Sequence, residues 1–327
     1  MSDALESRGV VVSGTGGVWR VRLEDGQTIE ASLRGRLKKS NSGKRADGSL
    51  RRDTVAAAAE TLKLAVGDDV RLDHSDPGGA WSITEILPRR SKLARRSPGG
   101  GQGERVVAAN IDQVAVMFAA AKPEPHPRML DRFLVIAEGN DLPARIIINK
   151  IDLVGEATAR ERFSVYETIG YPVHYTCVKS GTGIQELHDM LADRRSVLTG
   201  PSGVGKSSLL NALYPGANLR VGAISESVNK GRHTTVGALM LPLPGADGGY
   251  VIDTPGLREV GLWSLVADRL DQCFPEIRAA RDDCRFADCR HVAEPECAVR
   301  DGVSAGTISA LRYDSYLRLL EEIEEEH

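Results

Sequence analysis

The sequence predicts a chain in three parts: a small all-β barrel, a central α/β unit on a mainly parallel sheet, and a helical C-terminal unit with a metal site. Three observations lead there. Alternating apolar and polar residues with turn signals fill the first ninety or so positions. Near-continuous apolar runs separated by helix-like stretches fill the middle. Three of five cysteines crowd with a histidine into residues 284–297. At 327 residues the chain is also too long for a single core.

The barrel comes first, over residues 1–97. Val18, Arg20 and Arg22 alternate with Trp19, Val21 and Leu23, and an Asp25-Gly26 turn separates two runs. The style repeats over 64–88, and four or five such strands in about ninety residues make an OB-like barrel. Residues 38–53, rich in Gly, Ser and basic side chains, are expected as a long loop of that barrel, and 98–104 as a linker. Net charge is −3, but it is segregated. Residues 1–100 hold eighteen Lys/Arg against thirteen Asp/Glu, and 301–327 hold two against seven. Within the barrel, 34–52 carry eight basic residues and one acid, and 89–96 carry five and none. The average excludes a globally basic protein of the histone kind and leaves local basic patches open. No run of eighteen apolar residues exists, so no membrane-spanning helix is expected. The start, MSDALESRGVVV, lacks the pattern of a signal peptide, which makes the cytoplasm the expected compartment.

Over 105–262, apolar runs at 111–120, 144–150, 171–177, 194–200 and 249–256 read as strands, with helices over 128–139, 156–169, 183–193 and 206–213. Gly200, Pro201, Ser202, Gly203, Val204, Gly205, Lys206 and Ser207 fit G-x-x-x-x-G-K-[ST] between a strand and a helix that continues through Ser208. Glycines there let backbone N–H groups and a helix N-terminus wrap phosphate oxygens. Lys206 would reach the β- and γ-phosphates, and the Ser207 hydroxyl would bind Mg²⁺. Asp253, Thr254, Pro255 and Gly256 end another strand; Asp253 can hold Mg²⁺ through water and Gly256 can offer its N–H to the γ-phosphate. Asn149, Lys150, Ile151 and Asp152 follow a third strand. A carboxylate at Asp152 accepts the N1 and exocyclic amine hydrogens of guanine, and adenine presents the opposite pattern, so this residue selects GTP over ATP. About 25 residues on, Thr176, Cys177, Val178, Lys179 and Ser180 resemble the S-A-K loop whose N–H meets guanine O6, with Cys177 and Val178 in place of smaller residues.

These are GTPase motifs in rotated order: the two guanine motifs precede the phosphate loop. That is a circular permutation, tolerated because the termini of such a fold lie close together. With the strand-rich N-terminus and the cysteine cluster, residues 8–320 or so resemble the bacterial ribosome small-subunit-dependent GTPases, the RsgA/YjeQ family. The resemblance makes Gly231, Arg232, His233, Thr234 and Thr235 the switch segment, with Thr234 or Thr235, the latter favoured, closing over Mg²⁺. Leu257 follows the DTPG motif where many GTPases carry a glutamine that orients water, and a leucine cannot do that. The resemblance, with the need for a polar group in a mobile loop, makes His233 the candidate catalytic residue; a solvent-exposed switch histidine or one that contacts the ribosome is the plainer reading. Gly203 occupies the fourth loop position, where potassium-dependent GTPases often carry asparagine, which argues against potassium assistance and leaves it open.

Beyond 263, Cys284, Cys289, His291 and Cys297 have the spacing C-x₄-C-x-H-x₅-C. Three thiolates and an imidazole make a closed tetrahedral set suited to structural zinc, the plainer alternative being buried free thiols. The family resemblance implies the same zinc site. Cys177 and Cys273 fall outside it, the latter in the core of the helix DRLDQCF. In the barrel, basic runs can neutralise phosphates, and only Trp19 and Trp81 are available for stacking on bases, so structured RNA fits better than single strands. A solvated loop is the plainer reading of such a run; the resemblance implies contact with rRNA. The expected function is a monomeric GTPase in late maturation of the small ribosomal subunit. It hydrolyses GTP to GDP and phosphate when the subunit stimulates it, and is then released. A GTP-regulated RNA-binding factor not tied to assembly, a small-molecule kinase and an RNA-binding module with a degenerate nucleotide site are the competing readings. Asp152 argues against the kinase, and intact Lys206, Ser207 and Asp253 argue against the degenerate site.

Overall fold

A computed structural model describes residues 7–34, 63–74, 80–96, 104–214, 238–245, 249–254 and 269–325. Strands β1 (Ser7–Thr15), β2 (Val18–Leu23), β3 (Thr28–Leu33), β4 (Asp69–His74) and β5 (Trp81–Ile86) close a barrel in the order β1-β2-β3-β5-β4. All neighbours are antiparallel except β3 and β5. The alternation read in β2 sets its faces: Val21 is fully buried with Val11, Val70, Leu72 and Ile83, while Arg20 is exposed. This is the OB-like barrel that the strand spacing predicts. Its expected basic loop, 38–53, lies outside the described residues.

A two-stranded ribbon follows, β6 (Lys92–Arg96) paired antiparallel with β7 (Glu104–Ala109). The expected linker 98–104 therefore joins two strands of one ribbon, and Glu104 opens the second of them. The central sheet runs β10-β9-β8-β11-β13-β12, with β8 (Gln113–Ala119), β9 (Ala144–Asn149), β10 (Val173–Tyr175), β11 (Arg195–Thr199), β12 (Leu239–Pro242) and β13 (Tyr250–Asp253). All pairings are parallel except β12 with β13. The inner strands are buried on both faces, which explains why they read as unbroken apolar runs. One face is covered by α1 (Pro127–Glu138) and α2 (Glu156–Ile169), the other by α3 (Ile184–Leu191) and α4 (Lys206–Leu213). The chain leaves β8 toward β9 and leaves β11 toward β13, so the strand order reverses between β8 and β11. In open parallel sheets that crevice, at the carboxyl ends of the strands, is where ligands bind.

The C-terminal unit is helical: α5 (Pro275–Ala280), α6 (Ala298–Ala305) and α7 (Ala310–Glu325), with short 3₁₀ turns at Asp271–Cys273 and Arg281–Asp283. Tyr316, Leu319, Leu320 and Ile323 of α7 join the same core as Leu130 and Leu134 of α1, so this unit lies over the α1/α2 face. Cys273 is buried in its 3₁₀ turn, and burial pushes its thiol up to about 12. The barrel attaches at the opposite edge of the sheet. Arg195, which opens β11, donates to Asp69 Oδ1 at 2.8 Å and to Gly67 O at 3.1 Å. Its own backbone N–H is taken by Asp112 at 2.7 Å. Burial works against the Asp112 charge, but Arg90 and that N–H outweigh it and hold the carboxyl below its ordinary range. Asn110 completes the joint, with Nδ2 on Gly67 O at 3.0 Å.

Candidate nucleotide site and metal centre

Three of the predicted motifs meet at the carboxyl edge of the sheet. The loop 200–205 joins β11 to the first turn of α4, and its shape demands glycine. Gly200 sits at φ +135°, where a Cβ would lie 2.0 Å from Met117 O. Gly205 sits at φ +106°, where one would lie 2.5 Å from Asn149 Nδ2. A side chain at either position collides with the strand or motif behind it. Val204 is buried, while Pro201, Ser202 and Gly203 line the outer rim. Lys206, nearly buried, donates from Nζ to Gly200 O at 2.6 Å and Pro201 O at 2.5 Å. Ser207 and Ser208 follow on α4, the first partly buried and the second exposed. The N-terminal end of α4 brings its first-turn N–H groups and positive dipole charge to the loop.

Asn149, at the end of β9, ties the motifs together. Its Nδ2 donates to Val204 O at 2.9 Å; its Oδ1 accepts from Val178 N and Thr176 Oγ1, each at 3.3 Å. Lys150 takes a left-handed conformation, φ 61°, and from there Nζ donates to Gly203 O at 2.7 Å and to Lys122 O. Asp152 is exposed, and its Oδ1 lies 3.2 Å from the Cys177 thiol. Cys177 itself is buried and closes a tight turn, its N–H donating to Thr182 O at 3.0 Å. Lys179 points outward from that turn. Asp253 ends β13 beside Leu198 of β11, which sets it next to the phosphate loop. His233, Thr234, Thr235 and Gly256 lie outside the described residues. Sequence reasoning missed Lys122, whose carbonyl accepts from Lys150, and the buried hydroxyl of Thr199, the last residue of β11, which has no hydrogen-bond partner among the described residues. Only their positions at or just after strand ends could have pointed to them.

The second site is in the C-terminal unit. The ligand atoms of Cys284, Cys289, His291 and Cys297 all lie within 4.8 Å of one another. His291 is buried, and its Nδ1 stands 3.5 Å from both Cys284 Sγ and Cys297 Sγ. Nε2 faces Asp271 Oδ2 at 3.8 Å, so a carboxylate backs the imidazole on the side away from the thiols. Arg281 holds that carboxylate at 3.0 Å. The Tyr313 and Tyr316 hydroxyls of α7 donate to His291 O at 2.6 Å and Arg290 O at 2.8 Å and so clamp the ligand loop. Three soft donors and one borderline donor at this separation could hold a metal ion. Asp271 escaped the sequence reading because it precedes the first cysteine by a stretch with no ligand spacing.

Comparison with known proteins gives a consistent result. A family model described as RsgA GTPase matches residues 86–263. A protein of Gemmatimonas aurantiaca named small ribosomal subunit biogenesis GTPase RsgA is 55% identical over 316 residues, 96% of this chain and 97% of that one. One of the same name from Shewanella oneidensis is 37% identical over 98% of this chain and 85% of its own length. Among solved structures, YjeQ from Thermotoga maritima aligns with a TM-score of 0.76 at 33% identity, covering 98% of this chain and 99% of that one. YloQ, described as a circularly permuted GTPase, aligns with a TM-score of 0.70 at 26% identity, covering 98% and 96%.

Proposed function

The chain belongs to the RsgA GTPase family, whose members hydrolyse GTP, and from that premise we propose that it acts in late maturation of the small ribosomal subunit. In this reading the subunit stimulates hydrolysis of GTP to GDP and phosphate, and hydrolysis releases the protein. The observation that carries the reading is the cross-link made by Asn149 and Lys150: one residue pair ties a guanine-selective carboxylate, an S-A-K-like turn and a phosphate loop into one site. Asp152 reads the guanine edge, and the backbone of Cys177, Val178 and Lys179 reads its carbonyl. Residues 200–208 cradle the phosphates, with Lys206 swinging from its loop carbonyls to the β- and γ-oxygens. Ser207 and Thr235 would hold Mg²⁺, which would supply positive charge against the phosphates. Asp253 and Gly256 sense the γ-phosphate, and His233 orients the attacking water.

The chain is read as a barrel (1–97), a link (98–104), a permuted GTPase unit (105–262) and a zinc unit (263–327). Zinc suits the Cys284, Cys289, His291 and Cys297 donor set, and its part there is structural, because four protein ligands leave no place for a reacting water. The barrel supplies rRNA contact through its basic surface, and the protein works as a cytoplasmic monomer; no helix among the described residues is long and apolar enough to cross a membrane. The test is GTP turnover with and without purified small subunits. The expected result is slow intrinsic turnover that rises on the subunit and, in His233→Ala, no longer rises. Turnover indifferent to subunits would overturn the reading.

A further inference from the structure

The helices that leave the nucleotide loops are tied to the C-terminal helix by a buried charge cluster. Arg312 of α7 is 1% exposed. Its Nη1 donates to Asp131 Oδ1 of α1 at 2.6 Å, and its Nε and Nη2 donate to the Glu276 carboxylate of α5 at 2.7 and 3.2 Å. The same Asp131 oxygen accepts the Tyr166 hydroxyl of α2 at 2.9 Å. The guanidinium also lies 4.5 Å from the Phe274 ring centre and 5.7 Å from that of Tyr166. Outside this knot, Arg128 pairs with Asp314 at 2.8 Å and Arg132 with Glu322. A buried ion cluster is a poor source of net stability compared with apolar packing of the same volume; what it can add is one fixed relative placement of the elements that share it.

The elements it fixes bear on the nucleotide loops. Asp131 is about one turn into α1, which begins just after the loop that offers Lys122 O to Lys150. Lys150 in turn holds Gly203 O. Tyr166 sits on α2, which follows the turn carrying Asp152. A continuous set of contacts thus runs from Arg312 through Asp131 and α1 to Lys122, Lys150 and the phosphate loop.

We infer that Arg312 is a positioning residue for nucleotide binding: by docking the C-terminal helix on α1 and α2, it sets the affinity of the GTPase unit for guanine nucleotides. The inference rests on the nucleotide-site reading above. The cluster supports the base and loop side of the site, so its loss weakens GDP and GTP by the same factor. Any partner that lifts the C-terminal unit then speeds nucleotide release, whatever the phosphate count.

The experiment measures equilibrium binding of fluorescent GDP and a non-hydrolysable GTP analogue to the full chain, without ribosomal subunits. Arg312→Met and Asp131→Asn are compared with wild type, with zinc content and melting temperature as controls. The expected result is a loss of roughly tenfold in affinity, equal for both nucleotides, in chains that keep their zinc and melt well above the assay temperature. Lys150→Ala combined with Asp131→Asn should lose less than the two single losses multiplied, because both act along one path. Unchanged dissociation constants in a folded variant, or a fully multiplicative double variant, would overturn the inference. Should Arg312→Met fail to fold, Asp131→Asn decides alone, since it is isosteric and leaves the Glu276 pair in place. Wild type that binds neither nucleotide would defeat the site reading itself, and that failure is separate from a wild type that binds with variants that bind equally well.

Discussion

Asn149 uses both ends of its amide inside the protein, one on the phosphate loop and one on the turn that follows β10. Asn149→Ala strands a buried carbonyl and a backbone N–H, so the variant should lose roughly 1–3 kcal/mol of stability along with nucleotide affinity. Urea unfolding and GDP binding check the two effects. Glu294 has a comparable role beside the metal ligands. Burial would push its carboxyl up, but the backbone N–H groups of Glu294, Arg290, Val292 and Ala293 outweigh that and hold it at about 2. A carboxyl depressed by folding contributes stability that is complete above its ordinary value near 4.5 and fades as pH falls toward 2. Glu294→Gln should therefore be less stable than wild type at neutral pH and should lose less on acidification over that window. Parallel acid limbs would refute this. At this scale the sequence is legible wherever a motif is compact: the motifs that carry Lys206 and Asp152 could be picked out from spacing, and so could Cys284, Cys289, His291 and Cys297, whose ligand atoms the fold gathers. Arg312, Asp131 and Asp271 could not, because a buried charge is defined by partners from other helices.

Elements were legible in proportion to how fully a sheet buries them. β8, β9 and β11 announced themselves as apolar runs. β12 did not: it is an antiparallel edge strand of four residues, LMLP, ending at a proline. The ribbon of β6 and β7 was missed because KLARR reads as a polar, basic run. That ribbon leads directly into the joint between barrel and sheet. Arg195→Ala removes the contacts to Gly67 O and to Asp69, the first residue of β4, and Asp69 is partly solvated, so a loss of only about 1 kcal/mol is expected. Hydrogen exchange should locate that loss at residues 64–69; uniform loosening of the whole chain would contradict it. Stripping the metal should have a different reach. The ligand loop and its tyrosine clamps from Tyr313 and Tyr316 loosen together, so limited proteolysis of the chelated protein should cut within 284–297 first, with the barrel still resistant.

For the whole molecule, the rotated motif order was readable because each motif is short and self-contained. The packing of the three parts was not, since the joints are made of single residues such as Asn110, Arg195 and Arg312 scattered along the chain. The arrangement puts the barrel at one edge of the sheet and the nucleotide loops at the other, about seven residues or ~23 Å apart along β8. The sheet's centre is the parallel pairing of β8 with β11, in which Gln113 meets Ser196 across 83 residues of chain. On the ribosome that makes this protein, at 5–20 residues per second, that gap takes roughly 4–17 s. The barrel and the strands β8, β9 and β10 emerge first, so the half that carries Asn149 and Asp152 exists before the half that carries the loop 200–205. A nascent chain is thus expected to hold no nucleotide until β11 and the loop behind it arrive and pair with β8, a long-range contact of the kind that forms slowly.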